Sequence, residues 1–159
     1  SDISRLRILK ENSNYQNKMD KSIYCNFNDK SYKEYLEWYS VLKKTVNNVK
    51  LTVFGSTRNN TENLKTRGIV YIKGDPKDVG HYEFCFCDKS TITSTIKKSL
   101  EYGTICVGYQ PPDLQISMNV SNIPNFMEQL TQFMENTTEK RKLSERIYQV
   151  YSKIRFIDN

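Results

Sequence analysis

At 159 residues the chain has room for one domain with its own core and excludes two domains joined by a linker. With 37% hydrophobic residues and a mean hydropathy of -0.69, polar tails or exposed helices dilute a smaller core, expected between roughly residues 20 and 110. Twenty-four Lys and Arg against eighteen Asp and Glu give a net charge of +6, which favours anionic partners, and no apolar run approaches the roughly 18 residues of a membrane-spanning helix.

Residues 1–22 have little apolar periodicity and read as a basic amino-terminal arm, without the apolar core of a signal peptide. From Ile23 the character changes. Ile23, Tyr24 and Phe27 surround Cys25 in a strand-like run, while Tyr35, Leu36, Trp38, Tyr39, Val41 and Leu42 suit either a second strand or a short helix. Residues 49–55 alternate apolar and polar, and 68–74 form an apolar run bounded by Gly68 and Gly74, so both are predicted strands. The polar stretch 56–67 between them is predicted as an exposed connection. Asp75-Pro76 marks a turn, 80–87 a further strand, and 91–108 alternates Thr, Ile and Val imperfectly.

Short strands joined by turn residues predict a mainly β fold, an antiparallel β-sandwich. Gln110-Pro111-Pro112-Asp113 breaks that pattern. Beyond it, Phe126, Leu130, Phe133 and Thr137, then Leu143, Ile147, Val150, Ile154 and Ile157, carry the spacing of a helix seam, with a break around residues 139–142. The expected organisation is an arm at 1–22, a sandwich at 23–110, and at 111–159 a linker followed by a C-terminal helix that packs on the domain or forms a coiled coil.

In an extended strand at 80–87, alternation puts Tyr82, Phe84 and Phe86 on the core side and His81, Glu83, Cys85 and Cys87 on the other. That parity makes a zinc site of His81, Cys85, Cys87 and distant Cys106 conceivable. Cys-x-Cys on a strand is not a usual zinc spacing, however, and cysteine as a small buried residue is the stronger reading, so no metal or cofactor is expected. The single histidine falls in no nucleophile motif, and the six glycines form neither a phosphate-binding loop nor a dinucleotide fingerprint. No catalytic residue and no enzyme is therefore expected. Lys43, Lys44, Lys97, Lys98, Lys140, Arg141 and Lys142 are the candidate basic patches, too few and dispersed for nucleic-acid binding to be more than permitted. Asn59, Asn119 and Asn136 begin glycosylation acceptor triplets, and four cysteines would allow one or two disulfides in a secreted chain.

Gly80-His81-Tyr82-Glu83-Phe84-Cys85-Phe86, followed by Asp88-Lys89-Ser90-Thr91 and Lys97-Lys98, resembles the central strand and turn of the GOLD domain, especially that of the p24 cargo receptors. The resemblance spans residues 23–109 and, more loosely, the helical tail, because a coiled coil follows the GOLD domain in that family. It implies a GOLD-like β-sandwich that recruits protein or lipid partners in the early secretory pathway of ER and Golgi, with a disulfide from Cys25 to Cys85. Cys87 and Cys106 are additional, and the arm before Ile23 has no counterpart. The function expected on this basis is a non-catalytic protein-interaction module of a trafficking cargo receptor or adaptor, oligomerising through its C-terminal helix. The alternative is a cytosolic β-sandwich module of viral or parasite type that binds acidic protein, membrane lipid or nucleic acid through the basic patches.

Overall fold

The computed structural model describes residues 14–56, 61–91, 94–108, 118–119 and 125–158. Tyr35, Trp38, Tyr39 and Leu42 fall on one stripe at helical spacing, and all four are buried. Their segment is therefore a helix, α1 (Tyr32–Thr45), with Glu34 in its first turn and Lys43 and Lys44 in its last, each complementing the helix dipole. It connects β1 (Met19–Asn26) to β2 (Lys50–Gly55), and a helical crossover of this kind brings the second strand back parallel to the first. The same happens twice more. The 56–67 connection holds α2 (Thr61–Thr66) before β3 (Val70–Lys73), and the imperfect alternation of 91–108 is α3 (Ser94–Glu101) between β4 (Tyr82–Phe86) and β5 (Ile105–Gly108). The short β6 (Met118–Asn119), α4 (Phe126–Met134) and α5 (Thr137–Asp158) complete the order.

The strands line up β3-β2-β1-β4-β5-β6, and every neighbouring pair is parallel. This corrects the expected antiparallel, GOLD-like β-sandwich: the domain is an α/β fold. A parallel sheet carries helices on both faces, so its strands become continuous apolar runs, which look in sequence like the inner strands of a sandwich. The sheet also runs from Met19 to Asn119, across both expected domain boundaries. Every residue of β4 is buried, so Tyr82, Phe84 and Phe86 are not one core face opposed to a solvent face. Phe86 packs on Tyr35 and Trp38 of α1, and Phe84 meets Phe133 of α4 edge-on. On the opposite face, the Tyr24 hydroxyl is hydrogen-bonded to Ser99 of α3.

Among the described connections, one lacks its helix. Between β3 and β4 the chain offers only residues 74–81, ending in a 3-10 turn at Val79–His81. Val70 and Ile72 are register partners of Thr52 and Phe54, on the face that this connection leaves open. Met19, Val70 and Ile72 are accordingly 50%, 54% and 40% exposed. A groove of about 770 Å³ there is lined by Met19, Phe54, Ile72, Lys77, His81 and Tyr82, among others.

The C-terminal helix is continuous through the break in its apolar stripe, and the reason is Lys140. Expected in a basic patch, Lys140 is 0% exposed, and its ammonium lies 2.8 Å from Glu83 and 2.7 Å from Asp20. Glu83, 1% exposed, also accepts the Lys21 backbone N–H at 3.0 Å and the Tyr15 hydroxyl at 2.8 Å. Ile147 is fully buried and Leu143 and Val150 pack partly against the core, so this part of the seam faces its own domain. The side chains of Ile154 and Ile157 lie outside the described residues. At Gly103, where φ is +81°, an added Cβ would come within 2.6 Å of the Ser144 carbonyl, so α5 lies directly on the turn between α3 and β5.

Two predictions follow from these buried charges. Lys140→Met leaves the buried Glu83 carboxylate without its ammonium partner and is expected to lower unfolding stability by about 3–5 kcal/mol in urea titrations; adding Glu83→Leu should restore part of the loss. A single-variant loss below about 1 kcal/mol would show that the pair does not hold α5. The second concerns Lys18, whose ammonium donates to the carbonyls of Gly80 (2.7 Å) and Tyr82 (3.2 Å) and to the Thr104 hydroxyl (3.3 Å). Burial pushes it from 10.5 down to about 7, with the Glu83 carboxylate opposing. Between those values the unfolded chain keeps a proton that the folded chain has shed, so stability rises with pH from about 7 upward. The buried thiols of Cys25 and Cys85, raised above 9.0, act in the opposite sense at higher pH. The melting temperature should therefore climb between about pH 7 and 8.5, and Lys18→Met should flatten that climb.

Candidate ligand crevice

From β1 the chain steps outward to β2 and β3, then returns to place β4 on the other side of β1. The connections after β1 and β4 therefore leave in opposite directions and open a crevice beyond the carboxyl ends of these strands, where open parallel sheets bind ligands. Its walls are the loops 27–31 and 87–91. The Asp88 carboxylate joins them, accepting the backbone N–H of Ser31 at 2.9 Å and that of Ser90 at 2.8 Å, together with the Ser90 hydroxyl. Deeper in the first loop, Asp29 accepts the Tyr35 hydroxyl at 3.0 Å, and burial together with this carboxylate holds the Tyr35 phenol far above its ordinary value. The backbone N–H of Cys87 donates to the Val107 carbonyl at 2.9 Å and anchors the second loop to β5. Asn28 and Lys30 from the first wall, and Lys89 and Ser90 from the second, are exposed.

This arrangement has no glycine-rich turn at the end of β1. Asp88 instead bonds the amide of Ser31, the residue that caps α1. The two loops carry one exposed lysine each, Lys30 and Lys89. Sequence reasoning missed both because it ranked basic residues by adjacency. The available signal was a charged residue just after each of two apolar runs, at the strand ends.

The residues singled out from sequence lie elsewhere. Lys43 and Lys44 end α1, and Lys97 and Lys98 are exposed on α3; Lys43 donates to the Arg67 carbonyl at 2.8 Å. Arg141 and Lys142 are exposed on α5, paired within the helix to Glu145 at 3.1 Å and Glu139 at 3.4 Å. With Lys140 buried, the three do not make a patch. All four cysteines are buried and none is in a disulfide. Tyr24, not Cys25, is the register partner of Cys85, so the two thiols project from opposite faces of the sheet and the implied Cys25–Cys85 disulfide is not formed. Cys106 is the register partner of Cys85. Burial, then hydrogen bonding to Cys87, raises the Cys85 thiol; for Cys106 the bond to Cys87 comes first and burial second. His81 is exposed, with Nδ1 3.3 Å from the Asn17 carbonyl, and does not join them. Among the described residues no group of three or more His, Cys, Asp and Glu is placed to hold a metal. Asn59 and residues 110–113 lie outside the described residues.

No protein-family model and no curated protein matches the chain. Among solved structures, the crystal structure of TarM is similar over 86% of this chain, with a TM-score of 0.59 and 9% sequence identity. The matched region is 32% of TarM, so the chain spans about a third of that protein. At this identity the likeness is one of fold. TarM is a glycosyltransferase, and a parallel α/β domain resembling part of it overturns the expectation of a non-catalytic β-sandwich module; nothing in the fold supports a trafficking receptor.

Proposed function

We propose that the chain is a glycosyltransferase-type domain that binds a sugar nucleotide in the crevice between the carboxyl ends of β1 and β4. The observation that carries this reading is the all-parallel order β3-β2-β1-β4-β5-β6, with its reversal between β1 and β4, in a fold similar to part of a glycosyltransferase. The crevice chemistry supports it. Lys30 and Lys89 supply positive charge from opposite walls, Ser90 supplies a hydroxyl, and the net charge of +6 favours an anionic ligand. When a glycosyl group leaves a sugar nucleotide, negative charge grows on the departing diphosphate. Ammonium groups brought to it from the two loops stabilise that charge more than they stabilise the ground state. Asp88 keeps the walls in register while the lysines remain available at the surface.

Isothermal titration with uridine, guanosine and adenosine diphosphates tests the reading. At least one is expected to bind with a dissociation constant below about 1 mM, and the Lys30→Ala, Lys89→Ala double variant should weaken it by about tenfold or more, as loss of charge-assisted contacts predicts. No binding by any of the three, or full affinity in the double variant, would overturn it.

A further inference from the structure

Most of the aromatic side chains that touch one another in this molecule do so in the core: Tyr35, Trp38 and Phe86 on one face, Tyr24, Phe54 and Tyr82 on the other. One pair differs. Phe27 and Tyr32 lie with ring centroids 4.8 Å apart, tilted by 56°, and among the described residues they form the only ring pair in which both rings are only partly buried. Phe27 directly follows β1 and Tyr32 opens α1, so the pair brackets the first wall of the crevice, with Lys30 between them in sequence.

The end of β2 leaves room for Phe27. Gly55 is the last residue of that strand, and a Cβ there would sit 2.8 Å from the Phe27 Cβ and 2.9 Å from the Tyr71 hydroxyl. Any larger residue would have to displace Phe27 or Tyr71 beside the end of β2. The backbone N–H of Phe27 also donates to the Phe54 carbonyl at 2.8 Å, so its main chain is held to the sheet while its ring stays half-open. The Tyr32 phenol is pushed up to about 12 by burial and stays a neutral hydrogen-bond donor at physiological pH. Both rings pack against the core and yet stay partly exposed beside a loop that carries an exposed lysine.

The positions also suit a ligand with a ring at one end and phosphates next to it. Lys30 and Lys89 sit where β1 and β4 diverge, and the ring pair lies on the β2 side of β1, the side on which dinucleotide-binding sheets hold the ribose. We infer that Phe27 and Tyr32 form a stacking platform for the nucleobase of the ligand, an inference that rests on the sugar-nucleotide reading above. Every base offers a π-face, so such a platform supplies affinity without choosing strongly among bases.

Calorimetric titration of the whole chain with inorganic pyrophosphate, with the best-bound nucleoside diphosphate and with its hexose-bearing form separates the two ideas. The nucleoside diphosphate should bind more tightly than pyrophosphate. Phe27→Ala and Tyr32→Leu should each weaken it by about 5- to 100-fold, while pyrophosphate affinity, which also reports an intact fold, is unchanged. Tyr32→Phe should retain wild-type affinity. Wild-type nucleotide affinity in Phe27→Ala and Tyr32→Leu, with pyrophosphate still bound, overturns the platform alone. A loss confined to the hexose-bearing form overturns it by placing the sugar on the rings. Failure of the wild-type chain to bind either pyrophosphate or nucleotide removes the sugar-nucleotide reading and the platform with it.

Discussion

A carboxylate in the middle of a parallel sheet is an expensive group to bury, and Glu83 is stable there only because four groups from three separate segments come to it. Lys140 arrives from α5, Tyr15 from the turn before β1, the Lys21 amide from β1 itself, and the Ser22 hydroxyl bonds the Glu83 backbone N–H at 3.0 Å. No one of these segments could leave without stranding charge or an unpaired polar atom in the core. The ion pair therefore fixes where the C-terminal helix lies. Once α5 is placed, the Ser144 hydroxyl donates to the Gly103 carbonyl at 2.7 Å, and α5 presses on the end of α3. The other end of α3 follows the second wall of the crevice. A contact at the amino-terminal edge of β4 thus bears on the position of a loop at its carboxyl edge.

The crevice itself arises from topology rather than from any single motif. Two parallel strands whose connections run in opposite directions cannot close the space beyond their ends. Here that space is walled by side chains from two loops and braced by Asp88, whose bonds satisfy backbone amides that would otherwise point into it. The β3-to-β4 connection is the counterpart on the sheet face. Because it is an irregular chain with one 3-10 turn, it cannot cover β2 and β3 as a helix would, and Met19, Val70 and Ile72 stay open to solvent.

The places where sequence and structure part share one cause. Residues 49–55, 68–74 and 80–87 each contain a strand, although Gly80 and His81 belong to a 3-10 turn, and the tail is helical. The α1 segment was open between strand and helix because its aromatic stripe fits both descriptions over eight residues; only its full 3-1-3 spacing selects the helix. In α3, Thr and Ile obscure a helix that packs through Ser99 and Leu100. With those helices unseen, the strands had no crossovers, and an antiparallel sandwich followed. Lys140 stood beside two solvated basic residues, and its role depends on a glutamate 57 positions away.

What the sequence by itself determined is what periodicity encodes within a few residues: where strands and the tail helices lie, and that β4 belongs to the core. Direction of pairing, the placement of Glu83 against Lys140, the separation of Cys25 from Cys85 and the joining of the 27–31 and 87–91 loops through Asp88 and Ser31 were decided by tertiary structure. Each of these joins segments far apart in the chain. Alternation and helical spacing record which side of an element is apolar, and they carry no information about which distant element will cover it.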